Sequence, residues 1–229
     1  MVEILTANEA VKHIRDGDTV ALGGFGGTGI PYRLIDALVE RDPLPRNLTV
    51  TTNDPGFPDD GVGRLIRKRL VRKLVAAFIG NNPEIFEQRD EGILEIEVLP
   101  EGTLAERFRA GGAGIGGVLT RVGLGTLVEE GKQKVTVEGE EYLIELPIRA
   151  HVGLIKAHKA DKKGNLVYYK TARNFNPVVA TCSDLVIAEV DDIVEVGELN
   201  PEHIVTPFIY VDVIVRNIVR QWGRFQIWR

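Results

Sequence analysis

The 229 residues hold a single cysteine, Cys182, so no disulfide can form within the chain. That suits a reducing cytoplasm. No apolar run approaches the roughly 20 residues that a membrane-spanning helix needs. The first residues, MVEILTANEAVKHI, are charged and amphipathic, unlike the apolar core of a secretion signal. Cations are in the minority: 28 Lys and Arg against 33 Asp and Glu leave a formal net charge of −5, which argues against a generic nucleic-acid binder. The four histidines, His13, His151, His158 and His203, share no metal-ligand spacing, so no metal is expected. These absences leave a cytoplasmic protein with neither nucleic acid nor membrane as partner.

Hydrophobic residues make up 44% and charged residues 27%, ordinary for a globular chain long enough to bury a core unaided. Thr6-Ala7-Asn8-Glu9 is a capping box, predicting a helix through Ile14. Asp18 to Leu22 (DTVAL) reads as a strand and 31–40 as an amphipathic helix with Leu34, Ile35 and Leu38 on one face. Strands at 48–52, 71–78 and 93–98 alternate with helices at 61–70, 83–91 and 103–110. Short turns between alternating strands and helices imply βαβ units. Farther on, 134–146 (KVTVEGEEYLIEL) predicts a hairpin turning at Glu138-Gly139-Glu140. Further strands are expected at 152–156, 166–169, 185–190 and 209–215. The fold class is therefore α/β: a mostly parallel open sheet with helices on both faces and an antiparallel hairpin elaboration. One domain spans 1–215, and the tail 216–229 is either a last helix or a disordered end.

Gly24-Phe25-Gly26-Gly27-Thr28-Gly29 matches the G-x-G-x-x-G dinucleotide fingerprint. Pro31 argues against that use. In the fingerprint the helix begins inside the motif, and a proline two residues past the last glycine would remove an amide and clash within the first turns. Proline suits the first helical position, so the helix should begin near residue 31, leaving 23–30 as one loop at the carboxyl end of a strand. The acidic residue that a dinucleotide site needs about 20 residues on is also lacking; Asp54, the nearest candidate, sits in a Pro-Gly loop. A loop lining an acyl or carboxylate site fits better, with a tight turn that holds no ligand as the bland alternative. A Rossmann-type dinucleotide-binding protein remains the alternative, and a sugar-phosphate isomerase-like or regulatory domain is a third reading.

The stretch 16–31, DGDTVALGGFGGTGIP, resembles the first signature of the family I coenzyme A transferases. Pro100-Glu101-Gly102-Thr103-Leu104-Ala105-Glu106-Arg107 with the following RAGGAG, then 123–130 (GLGTLVEE), 156–161 (KAHKAD) and 171–176 (TARNFN), resemble further blocks in the same order. The resemblance runs from about residue 5 to about 215 and points to the α subunit of the 3-oxoacid and acetate-type enzymes. It implies transfer of CoA from an acyl-CoA to a short carboxylate by a ping-pong route through a glutamyl-CoA thioester, with no cofactor beyond CoA as substrate. In the family the nucleophilic glutamate lies in a Ser-Glu-Asn-Gly context on the β subunit. This sequence contains no such tetrapeptide, which implies half an enzyme with a β-subunit partner, in an α2β2 assembly.

By position match, Gly24, Phe25, Gly26, Gly27 and Gly29 shape the acyl pocket, with amides available to a carboxylate or oxyanion. Asn53 follows a strand at its ligand-binding end, where its amide can both donate and accept; an Asx turn into Asp54-Pro55-Gly56 explains it equally well. Glu101 stands where many relatives have glutamine. It is either a substrate-facing carboxylate or a first-turn acid that favours the helix dipole. Gly111 to Gly117 is expected to form a mobile loop. The cluster Arg64, Arg67, Lys68, Arg69, Arg72 and Lys73 reads as a solvated helix face, with contacts to CoA phosphates as the alternative. Cys182, lacking a base partner in sequence, is expected to be structural.

Overall fold

A computed structural model describes residues 2–217. The expectation for the tail lies outside these residues except at Arg216 and Asn217; Arg216 ends the last strand. The capping box forms as expected: the Glu9 amide donates to Thr6 Oγ1 at 3.3 Å, and the Thr6 amide to Glu9 Oε2 at 2.9 Å. It starts α1 (Ala7–Ala10), which tightens into a 3₁₀ turn at Val11–His13. Before it comes β1 (Glu3–Leu5), a three-residue strand too short to leave a sequence pattern.

The alternation predicted for the first half is present: β2 (Thr19–Leu22), α2 (Tyr32–Glu40), β3 (Leu48–Thr52), α3 (Gly63–Arg67), β4 (Val71–Ala76), α4 (Pro83–Asp90), β5 (Glu95–Val98) and α5 (Glu101–Ala113). The second half adds β6 (Val118–Thr120), β7 (Lys134–Val137), β8 (Glu140–Glu145), β9 (Ala150–Asp161), β10 (Leu166–Val167), α6 (Asn176–Cys182), β11 (Ser183–Val194) and β12 (Val213–Arg216). The main sheet runs β1-β12-β11-β9-β2-β3-β4-β5 with every neighbouring pair parallel, and β10 adds antiparallel to β9. From β2 the chain works outward through β3, β4 and β5, then returns on the other side of β2 at β9. The loop after β2 therefore leaves the sheet at a topological switch point, where open α/β sheets hold ligands.

Side-chain alternation along the strands splits the core into two layers. Val20, Leu22, Leu74, Leu154 and Ile187 pack with Leu34, Ile35, Leu38, Leu65 and Ile85 from α2, α3 and α4. Ala21, Val75, Ile155, Ala188 and Ile214 face Leu104, Phe108, Val179 and Cys182 from α5 and α6. Phe108 meets Phe175 edge to face at 6.3 Å between ring centres. The predicted hairpin forms as β7 and β8, and β6 joins it to make a separate antiparallel sheet in the order β6-β8-β7. Arg107 on α5 ties this small sheet to the main one. Its guanidinium donates to Glu97 on β5 and to the Leu146 carbonyl, both at 2.6 Å.

The fold departs from three expectations and adds one helix in a segment for which no element was expected. The 111–117 glycine tract is not one loop, because α5 continues through Ala113. A β-carbon on Gly111 would fall 1.9 Å from the Ile148 carbonyl oxygen, and one on Gly112 2.4 Å from Thr181 Oγ1, so these glycines let the helix lie against its neighbours. The segment 176–182 is helical, with Pro177 in its first turn, where the missing amide costs nothing. The strands expected at 152–156 and 185–190 are each 12 residues long, because buried parallel pairing extends well past their apolar centres. Residues 208–210 form a 3₁₀ turn, and the last strand begins only at Val213.

Candidate functional site

The glycine loop folds into a tight hairpin. Phe25 and Thr28 exchange backbone hydrogen bonds at 3.0 and 2.9 Å, leaving Gly26 and Gly27 as the two central residues with φ of +54° and +79°. Positive φ at both positions defines the mirror-image turn that glycine adopts most readily. The helix start is displaced as Pro31 demands: Pro31 is the N-cap of α2, and the helix begins at Tyr32. The dinucleotide arrangement, in which the glycines open the helix, is absent from this loop.

The hairpin is clamped from two sides. The Gly26 amide donates to Asp54 Oδ2 at 3.0 Å. On the other side, Asn174 Nδ2 donates to the Thr28 carbonyl at 2.9 Å and Asn176 Nδ2 to the Gly29 carbonyl at 3.0 Å. Asn176 Oδ1 in turn accepts from the Lys156 amide at 2.8 Å. Gly29 leaves no room for anything larger, since a β-carbon there would approach the Ala172 carbonyl oxygen to 2.6 Å. Three stretches far apart in sequence, around residues 26, 156 and 174, thus meet at one loop.

Below the hairpin a cavity of about 420 Å³ opens at the carboxyl ends of β2, β3 and β4. Its apolar wall is Phe25, Ile30, Phe57, Ala77 and Phe78, and its polar wall is Asn53, Asp54, Asp60, Asn81 and Glu101. Of the residues singled out in the sequence, Phe25, Gly26, Gly27, Asn53 and Glu101 come together here. Gly24 and Gly29 do not line the cavity: Gly24 backs onto Ile30, and Gly29 onto the 172–176 segment. A larger groove of about 720 Å³ runs past Val2, His13, Phe208 and Ile209. It lies at the β1–β12 edge, on the far side of β11 and β9 from β2, and holds none of these residues.

Asn53 is 4% exposed, and its carbonyl accepts from the Ala77 and Phe78 amides at 2.9 and 3.2 Å. The Asx turn belongs to the next residue, since the Gly56 amide donates to Asp54 Oδ1 at 2.9 Å. Among the described residues the Asn53 side chain has no hydrogen-bond partner, and neither has the Gly27 amide. Glu101 is exposed at the first position of α5, at the cavity edge, which satisfies the helix dipole and faces the cavity at once. Sequence reasoning missed Phe57, Phe78, Asp60 and Asn81. They sit in loops whose convergence depends on strand order, and no local pattern marks them.

The basic cluster is largely neutralised by neighbouring acids. Arg64 pairs with Asp36, and Arg67 with Asp59 and Glu84. Arg69 meets Glu91 at 3.0 Å, and Lys73 meets Glu95 and Glu97 at 2.7 and 3.2 Å. Cys182 is fully buried, and burial pushes its thiol up to about 12, leaving no reactive thiolate at neutral pH. Among the described residues no cluster of three metal-ligating side chains occurs, and no helix is long and apolar enough to cross a membrane.

Comparison with known proteins agrees with this arrangement. The family model for coenzyme A transferase matches residues 4–217. The chain is 47% identical over 213 residues to the alpha subunit of the acetate CoA-transferase of Escherichia coli K12, covering 93% of this chain and 96% of that one. It is 48% identical over 211 residues to the corresponding subunit of a probable succinyl-CoA:3-ketoacid coenzyme A transferase of Bacillus subtilis, covering 92% and 87%. Among solved structures, the acyl-CoA transferase of Escherichia coli O157:H7, in thioester complex with CoA, superposes with a TM-score of 0.87 at 24% identity. That match covers 97% of this chain but only 48% of the other, so the chain spans about half the length of that enzyme. The family model matches all but the first residue of the described sheet, and relatives 47–48% identical align over nearly the whole chain, so the chain belongs to the coenzyme A transferase family.

Proposed function

We propose that the chain is the α subunit of a heteromeric CoA-transferase of the 3-oxoacid or acetate type. It moves CoA from an acyl-CoA to a short-chain carboxylate and acts only with its β subunit, in the cytoplasm and as an α2β2 assembly. The observation that carries this reading is the near-complete alignment, at 47% identity, with a protein named as the alpha chain of an acetate CoA-transferase.

In this reading the nucleophilic glutamate comes from the β subunit, since this sequence lacks a Ser-Glu-Asn-Gly segment. Its carboxylate attacks the thioester and expels CoA thiolate to form an acyl-glutamyl anhydride; the thiolate attacks the glutamyl carbonyl, releasing the donor as its free carboxylate and leaving a glutamyl-CoA thioester; the acceptor carboxylate then takes the CoA by the reverse steps, freeing the glutamate. Two exchanges are joined without ATP, and CoA is the only cofactor-like species, as substrate. This chain supplies the other wall. The Gly26-Gly27 turn brings bare backbone to the reacting centre, the Gly27 amide is a donor for a developing oxyanion, and the Asn53 amide orients the carboxylate. Phe25, Phe57 and Phe78 keep water from the anhydride and thioester.

The test is transfer activity of the chain alone and mixed with its β subunit, with acetyl-CoA as donor and a panel of short acids, and trapping of the intermediate with borohydride. Activity only in the mixture, with the adduct on the partner, is expected. Activity in this chain alone would place the nucleophile among its own glutamates and overturn the division of roles.

A further inference from the structure

Three carboxylates line the cavity, Asp54, Asp60 and Glu101, and among the described residues no Lys, Arg or His joins them. Asp54 accepts hydrogen bonds from the Gly26 and Gly56 amides, but amides are neutral and leave its charge in place. Asp60 accepts from the Tyr32 hydroxyl at 3.4 Å, again a neutral donor. The remaining wall is apolar, and Phe25, Phe57 and Phe78 stand partly exposed at 44%, 39% and 51%. Carboxylates next to apolar walls act through a low dielectric, so their field in the cavity is stronger than on an open surface. Aromatic faces beside them add attraction for a cation and none for an anion.

The reacting carboxylate has its own donor in this wall. Asn53 is 4% exposed, lines the cavity and has no side-chain hydrogen bond among the described residues. The rest of the acyl chain must then share the cavity with three negative charges. A second carboxylate there would be repelled, and an ammonium group would be held.

Resting on the CoA-transfer reading above, we propose that the acid accepted in this cavity carries an ammonium group on its acyl chain, as a short β- or γ-amino acid does, rather than a second carboxylate. The net reaction stays balanced. The donor exchanges its C–S bond for a C–O bond, the amino acid exchanges a C–O bond for a C–S bond, and the ammonium group passes through unchanged. No electron or proton is gained or lost. Glu101 is the specificity-determining carboxylate in this arrangement, because it stands at the cavity edge with no hydrogen-bond or ion-pair partner among the described residues.

The test uses this chain in complex with its β subunit. Three acceptors built on one skeleton are compared: β-alanine, butyrate and succinate, whose terminal groups are ammonium, methyl and carboxylate. The expected order of kcat/KM is β-alanine above butyrate above succinate, with at least tenfold between first and last. Glu101→Gln should cut the β-alanine to butyrate ratio severalfold, and E101K should shift preference toward succinate. Binding of the same acids to the complex, measured by calorimetry, reports selectivity without turnover. Ammonium-selective binding with no transfer to any acceptor would sink the transferase reading and leave the recognition intact. Succinate equal to or better than β-alanine, butyrate equal to β-alanine, or a ratio unmoved by Glu101→Gln would overturn the proposal and mean that the partner subunit supplies a compensating cation.

Discussion

Glu189 on β11 caps a helix 156 residues away: its Oε2 accepts the Arg33 amide of α2 at 2.8 Å. The same oxygen accepts from Leu34 at 3.3 Å, while Oε1 is buried without a partner among the described residues. Pro31, at the N-cap, offers no side-chain cap of its own, so the helix borrows one from the sheet. Two charged groups act on this carboxyl: Lys156 on β9 stabilises its ionised form, and Asp191 on β11 opposes it.

Burial raises the Glu189 carboxyl to about 7, against the pull of Lys156 and the two amides. A raised acid binds its proton in the folded state where the unfolded chain has lost it. Stability from this group is therefore fully present below the ordinary carboxylate range and is lost as pH rises toward 7. Glu189→Gln should remove that loss and raise stability above pH 7 by up to ~3 kcal/mol, the worth of a shift of this size. Below pH 5 the gain should vanish. Urea unfolding at pH 5 and pH 8 checks this, and an equal effect at both pH values would refute it.

Asn53→Ala removes a side chain that contacts the cavity and completes no hydrogen bond among the described residues. Stability should change by less than about 1 kcal/mol, because no protein partner is orphaned. Transfer activity of the complex should fall by roughly 10- to 1,000-fold, as for loss of a donor at a developing charge. A large loss of stability with wild-type kcat/KM would show that Asn53 is structural.

The glycines of the hairpin should differ in their tolerance. A β-carbon on Gly26 meets nothing within 4 Å, so Gly26→Ala costs only the left-handed backbone, about 1–2 kcal/mol. Gly29→Ala carries the same backbone cost at φ +72° and adds a 2.6 Å approach to the Ala172 carbonyl oxygen and 2.9 Å to Asn176 Nδ2. Thermal unfolding should rank Gly29→Ala as clearly the more destabilised.

Cys182 should resist alkylating reagents at pH 8 in the native protein and react at once in denaturant. Its thiol is buried, lies far above neutral and donates to the Val179 carbonyl at 3.4 Å. Rapid titration of the native protein would mean that the α6–β11 junction opens.

The first half of the fold was legible in the sequence because its signals are local. The capping box at Thr6, the proline at 31 and the short βα turns each define an element from within a few residues. The second half was harder to read. The helix at 176–182 is short and carries a proline in its first turn. The 12-residue strands β9 and β11 carry His158, Lys159, Asp191 and Asp192 in their outer parts, which break any apolar pattern.

The α/β class, the displaced helix start at Pro31, the glycine-rich loop after β2 and the family resemblance all followed from residue order alone, because they rest on backbone preference and short-range pattern, whereas the tight turn inside that loop did not. Three other features emerged only when the chain was folded: Asp54 rather than Asn53 makes the Asx turn, Glu189 caps α2, and Asp60 and Phe78 line one cavity with Glu101. These depend on which strands lie side by side. Parallel pairing joins segments through crossovers, so residues more than a hundred positions apart meet only once the whole sheet is ordered.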